Sequence, residues 1–234
     1  MRYSIIFRLA VGISFLLSSM MMVAQNDSQG LRSTYDFDYI YKLKMTNKKD
    51  DIQFDYYLKK DADYFGFDIA AMSQGQEGMK MFTVMDNANA VTGMFMEMMG
   101  KKIVKTSKIK LSDFTSDEND SDYTFKKIGS KTILGYNCDG FEGENADSKI
   151  IFYVTNEAPI SFNKMWENGK TKSPKGFNPA WMEKYSKNAL MMEMQFVDKK
   201  KDKNSMTMQC IGVEETNLTI KTSEYGSMLG ALGN

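Results

Sequence analysis

Histidine is absent from this 234-residue chain, and that absence decides most of what its side chains can do. Without imidazole there is no Ser-His or Cys-His nucleophile, no imidazole general base and no ordinary zinc or non-haem iron site. Two Ser-x-x-Lys spacings occur, Ser107 to Lys110 and Ser161 to Lys164, but the Ser-Asp-Asn and Lys-Thr-Gly elements that would support them are missing. The carboxylates are scattered over turns and solvent faces, not gathered as an acid and base pair. Neither a phosphate loop nor a dinucleotide fingerprint is present. Asp117, Asn119 and Ser121 have the alternating oxygens of a calcium loop, yet Asp122 stands where the turn needs Gly and Ile128 where a bidentate Glu is needed. The expectation is a protein with no catalytic residues, no metal site and no cofactor.

Sulfur is the one chemical excess. Of 21 methionines, four lie in the first 24 residues and 17 beyond them. Many sit at alternate positions: Met79, Met81 and Met85, then Met94, Met96 and Met98, then Met192 and Met194, then Met206 and Met208. At a strand's period of two such spacing puts the thioethers on one face. Three uses follow. Methionine can fill a core as a flexible apolar side chain, line an adaptable groove for acyl chains or a lipidated peptide, or bind a soft ion such as Cu(I). The only cysteines are Cys138 and Cys210. Leu134, Tyr136 and Cys138 share a face by alternation, as do Met206, Met208 and Cys210, so both thiols point toward the core side. They are a disulfide candidate, which across a loop of this length would add about 4 kcal/mol; the alternative is two buried free thiols.

The elements that must position these residues read as strands. Tyr35 to Met45 alternates aromatic and aliphatic residues with charged ones, Asn47 to Asp51 is a turn, and Ile52 to Lys59 resumes the alternation. Asp63 to Ile69 is a third strand, broken by Gly75 to Gly78. Met79 to Asp86 and Ala90 to Met99 form a hairpin around Asn87-Ala88-Asn89, with Met79, Met81 and Met85 facing inward opposite Met94, Met96 and Met98. Ile103 to Ile109 is a further strand or an irregular piece, and acidic Ser116 to Asp122 a loop. Tyr123 to Ile128, Thr132 to Glu144, Lys149 to Asn156, Leu190 to Val197, Ser205 to Glu214 and Leu218 to Thr222 complete the strands. Helical material is confined to an insertion near residues 160–188, as Ser161 to Glu167 and Pro179 to Lys187. Asn178 and Pro179 are N-cap and first helical residue of its second piece, and Trp166 and Trp181 sit on the two pieces. The fold class is mainly β (α+β): a curved antiparallel sheet or half-barrel of roughly ten strands.

Residues 1–24 have the layout of a secretory signal peptide: Arg2 and Arg8, an apolar run from Leu9 to Leu17, and small residues up to Ala24. The run is shorter than the roughly 20 residues that span a bilayer, so the mature protein has no stable membrane span. Residues 25–34 are a flexible lead-in and 35–234 one domain in a periplasmic or secreted protein. Removing residues 1–24 takes two Arg from 30 basic residues and leaves 28 against 30 acidic, a net of −2. Lys199, Lys200, Lys201 and Lys203 form the one basic run, beside Asp198 and Asp202, and read as a solvated hairpin turn, so no nucleic-acid partner is expected.

The run Lys131 to Gly143 (KTILGYNCDGFEG), with Met81 to Asp86 (MFTVMD) and Thr219 to Tyr225 (TIKTSEY), resembles an uncharacterised secreted family of Gram-negative bacteria known as a domain of unknown function. That family is in turn similar to the lipoprotein-localisation-factor (LolA/LolB-like) superfamily. The resemblance covers most of Tyr35 to Tyr225. It implies a half-barrel whose helices cross the concave face over an apolar cavity, with Trp166 and Trp181 facing the methionine-bearing strands and a lipid, acyl chain or lipoprotein as partner. The chain departs from the carriers in having no evident helix before its first strand. A ligand-free envelope module and a Cu(I)-binding protein are the alternatives.

Overall fold

A computed structural model describes residues 30–48, 51–68, 79–109, 123–161 and 189–227. These residues form twelve strands: β1 (Thr34–Asn47), β2 (Asp51–Leu58), β3 (Tyr64–Asp68), β4 (Met79–Asp86), β5 (Val91–Met98), β6 (Lys101–Lys108), β7 (Thr124–Ile133), β8 (Tyr136–Glu144), β9 (Ser148–Thr155), β10 (Leu190–Asp198), β11 (Met206–Lys221) and β12 (Gly226–Ser227). They lie in one sheet in the order β12-β6-β5-β4-β3-β2-β1-β11-β10-β9-β8-β7. Eleven strands are antiparallel, and two-residue β12 pairs in parallel with β6. The sheet is curved and open, as the period-two pattern predicts. Among the described residues the only helical turns are 3₁₀ pieces at Asp202–Asn204 and Thr222–Glu224. The leader 1–24, the acidic loop 116–122 and, Ser161 apart, the two expected helices lie outside the described residues.

Two long central strands, β1 and β11, organise the interior. They pair along nearly their whole length, with register shifts between Phe37 and Tyr39 and between Lys42 and Leu43. Such shifts bend a strand and increase its twist, and here they let one strand pair serve two cores. Tyr35, Phe37 and Ile220 join Tyr64, Val84, Phe95 and Val104 in one cluster. Tyr41, Leu43 and Cys210 join Leu58, Phe65, Leu190 and Met192 in another. A third cluster under β8 to β10 holds Phe141, Phe152, Ile150 and Met194. Burying each such side chain contributes roughly 1.5–3 kcal/mol before conformational entropy is subtracted. The first cluster is dominated by edge-to-face rings, with Tyr35 on Tyr64 at 5.1 Å and Tyr57 on Phe82 at 4.9 Å. Gly66 makes room for it: a Cβ there would stand 2.4 Å from the Phe82 ring.

Two expectations are corrected and one open alternative is decided. Thr132 to Glu144 is not one strand: the chain reverses at Leu134 (φ 51°) and Gly135 (φ 83°), and β7 and β8 form a hairpin. Positive φ at both loop residues is what a two-residue turn matched to the strand twist requires. Leu134 therefore does not share a core face with Cys138; it is 51% exposed at the turn. The piece around Ile103 is a full strand, β6, paired with β5 from Val91 to Met98 through a turn at Met99 and Gly100. The last two expected strands are one, because β11 runs through Glu215 to Asn217 by shifting register instead of ending.

Candidate functional site

The methionines of β4 and β5 share a face. Backbone register sets Met79 opposite Met98, Met81 opposite Met96, Thr83 opposite Met94 and Met85 opposite Thr92. The same row continues through Phe65 opposite Met85 and Phe67 opposite Thr83 into Tyr56 and Leu58 of β2. On β2 and β3 this face closes into the core, with Leu58 3% and Phe65 6% exposed, but toward β5 it opens. On β5 the buried residues are Val91, Gly93 and Phe95, whereas Met94 and Met96 are half-buried and Met98 is 43% exposed. Met81 and Met85 are half-buried too, as are Tyr56 and Phe67. The result is a contiguous thioether and aromatic surface whose strands are backed, on their other side, by the close-packed rings of Phe82 and Phe95. Within it Thr83 is 3% exposed and its hydroxyl has no hydrogen-bond partner among the described residues. A buried hydroxyl left so is costly unless something else meets it.

Met192 and Met194 behave differently. They are 0% and 7% exposed and belong to two core clusters. Consecutive Met191 and Met192 are both buried because β10 carries an extra residue opposite β9, between Met191 paired with Val154 and Glu193 paired with Tyr153. Trp166 and Trp181 lie outside the described residues. Of the ten candidate ligand residues, then, the structure gathers the six on β4 and β5 and puts the β10 pair into closed packing.

Cys138 and Cys210 are free thiols, both buried in the cluster around Tyr41 and Met192. Of the two alternatives the structure has the free thiols, each with a local contact: Cys138 Sγ donates to the Tyr136 carbonyl at 3.4 Å and Cys210 Sγ to that of Gly212 at 3.5 Å. Strand order explains this, since β9 and β10 separate β8 from β11. At roughly 4.8 Å per strand the cysteines start about 14 Å apart in a flat sheet, and a disulfide needs Cα atoms within about 7 Å. Curvature brings the two thiols into one cluster, where they remain unbonded. Burial pushes both thiols up, Cys210 to about 11.

A concavity lies on the opposite face, a cavity of about 350 Å³ floored by Phe82, Phe95, Leu218 and Tyr225. Lys102 closes its rim: the ammonium meets Glu224 at 2.8 Å and Glu97 at 3.5 Å and lies 5.3 Å over the Tyr225 ring. Sequence reasoning missed a further constellation at the other end of the same core. Fully buried Asp86 accepts from Arg32 Nε at 2.8 Å, Tyr35 Oη at 3.1 Å, and the Asn89 backbone and side chain at 3.1 and 2.9 Å. Arg32 also reaches Asp63 at 2.5 Å. Hydrogen bonding to Asp86 raises the guanidinium's pKa, and burial raises that of the Tyr35 hydroxyl. The network ties the entering chain to the β4–β5 turn.

Residues 37–224 match the family described as a domain of unknown function, DUF4412. The chain belongs to this family. The matched stretch contains both cysteines, every methionine of the candidate face and the β7–β8 hairpin. No curated protein matches the DUF4412 chain. Solved structures similar to it include PNGF-II (11% identity, TM-score 0.37, 81% of this chain and 29% of that one). The Pseudomonas aeruginosa MucA/MucB complex follows at 7% identity and a TM-score of 0.43, over 85% of this chain and 58% of that one. A putative outer membrane lipoprotein-sorting protein domain from Vibrio parahaemolyticus is 10% identical, at a TM-score of 0.24, over 77% and 86%. The DUF4412 chain thus spans less than two thirds of the first two. Among its described residues no helix is long and apolar enough to cross a membrane, and no three His, Cys, Asp or Glu side chains come together as a metal site.

Proposed function

We propose that this DUF4412 chain is a non-enzymatic binding protein of the cell envelope, periplasmic or secreted, that holds an acyl chain, free or as part of a lipid or lipoprotein, on the methionine and aromatic face of β2 to β5. One observation carries the reading. A sheet face that merely meets water alternates to polar side chains, but here the half-buried positions are Met81, Met85, Met94, Met96, Tyr56 and Phe67. Unbranched thioethers repack around an irregular chain at little cost. The unpartnered Thr83 hydroxyl beneath them offers one polar contact. Absence of histidine from the whole chain supports a role without catalysis, and the pattern of residues 1–24 supports export.

Organic extraction of the purified protein followed by mass spectrometry should release lipid, and the emptied protein should bind a fluorescent fatty acid. Changing Met81, Met94 and Met96 together to Gln keeps side-chain length and, since these positions are half-buried, keeps the fold by circular dichroism. The variant should bind at least tenfold more weakly, given roughly 0.8 kcal/mol for each buried methylene. Protein that is free of lipid and also ignores the fluorescent probe would end the idea.

A further inference from the structure

The tip of the β5–β6 hairpin is built against the usual rules of a two-residue turn. Its loop residues are Met99 (φ 52°) and Gly100 (φ 75°). The first position favours Asn, Asp or Gly, because a larger side chain at positive φ is strained. Here it is a methionine that is 93% exposed, next to Met98 at 43%. A Cβ added at Gly100 would meet nothing within 4 Å, so the tip stands clear of the rest of the molecule. Conformational strain and hydration both work against this side chain, and no contact within the described chain repays either. Around it the charge is basic. Lys101 and Lys102 open β6 directly after the tip, Lys80 stands across β5 from Lys102, and Lys105 and Lys108 lie farther back along β6. Glu97 and Glu224 both engage Lys102, and among the described residues Lys80, Lys105 and Lys108 make no ion pair. Lys80, Lys102, Met98 and Met99 also line a hollow of about 180 Å³ at the tip.

Exposed unbranched apolar side chains at an extremity, flanked by lysines, are the chemistry that enters the headgroup and acyl boundary of an anionic bilayer. We propose that the β5–β6 tip docks the protein on an anionic phospholipid surface, inserting Met99 with Met98 beside it while Lys80, Lys101 and Lys105 face the phosphates. This inference goes beyond the acyl-binding face and does not depend on it, since the tip would hold the protein to a membrane whether or not the face carries cargo.

The test uses protein expressed from the full sequence and purified from the periplasm or medium, floated with phosphatidylglycerol/phosphatidylcholine vesicles and with phosphatidylcholine vesicles alone. Binding should favour the anionic vesicles and fall at about 1 M salt, where screening shrinks to about 3 Å. Met99→Asn removes the apolar group and suits positive φ, so its melting temperature should hold or rise while vesicle binding drops about tenfold. Reversing Lys101 and Lys105 to Glu should weaken binding to the anionic vesicles only. Fatty-acid affinity in solution should be unchanged in both variants, which separates failure of this proposal from failure of the acyl-binding one. Wild-type protein that floats with neither vesicle, or Met99→Asn protein that floats like wild type, overturns it. So does a Met99→Asn variant that turns a dimer into a monomer with vesicle binding intact, since the tip would then be a contact between copies.

Discussion

Asp86 is the side chain on which the aromatic lobe depends most. It is fully buried, and its carboxylate accepts from Arg32, Tyr35 and Asn89 at once. Asp86→Ala would leave the buried Tyr35 phenol without its acceptor and the half-exposed Arg32 guanidinium with Asp63 alone. A loss of about 3 kcal/mol is expected, read as a lower denaturation midpoint with unchanged slope. The cysteines make a second residue-scale prediction. Under denaturing, non-reducing conditions an alkylating reagent should add to both Cys138 and Cys210, whereas the folded protein at neutral pH should react slowly, because burial keeps the thiols protonated. No adduct at all would mean that the two thiols have bonded to each other. The same shift fixes a sign. The unfolded thiol ionises near pH 8.5 and folded Cys210 near 11. Between those values the folded state holds more protons, so stability is intact below about pH 8.5 and falls as pH rises toward 11. Tyr41, pushed well above its ordinary value by burial, acts in the same direction at higher pH.

At the level of elements, the sequence was most legible where alternation was strict and least where a turn used the wrong residue. Strands β1 to β5 stand close to where aromatic and methionine periodicity puts them, and the turn at residues 87–90 is in place. The lysine run is the solvated turn expected, with Lys199 on Glu144 at 2.6 Å and Lys200 on Asp147 at 2.5 Å. The Leu134-Gly135 and Met99-Gly100 reversals were hidden for one physical reason: both put an apolar side chain where Asn or Asp would have announced a turn. The glycine after it was the only signal. Leu134→Asn should therefore stabilise the protein by roughly 0.5–1 kcal/mol, visible as a higher melting temperature, because it relieves left-handed strain and removes a side chain that is half in water. Register shifts were illegible for a related reason. The extra residue at Met192 and the pair of shifts between β1 and β11 come from curvature that only the assembled sheet imposes.

For the molecule as a whole, periodicity says which side chains share a face but not which face is closed. The cross-strand match of Met79, Met81 and Met98, Met96 was readable from spacing. How deeply they are buried was not, because Val84, Val91 and Phe95 on the other side are as apolar and are the more deeply buried. A sheet apolar on both faces needs both covered, and its free edges need protection as well. Strand β7 is such an edge. It carries Lys126 on Glu142 at 2.9 Å and Lys127 on Asp139 at 2.9 Å, followed by a register shift at Gly129 (φ 106°). Charge and a break in the ladder are the devices that stop one sheet edge from templating another. Replacing Lys126 and Lys127 by Val would leave Phe125 to Ile128 as an uncharged, β-prone run on an open edge. That variant should keep its monomer fold at low concentration but sediment as higher species at tens of micromolar. Its fatty-acid affinity should be unchanged per folded chain, because β7 lies at the far end of the sheet from β4 and β5. A variant that stays monomeric across that range would mean that the edge is guarded by something other than these two lysines.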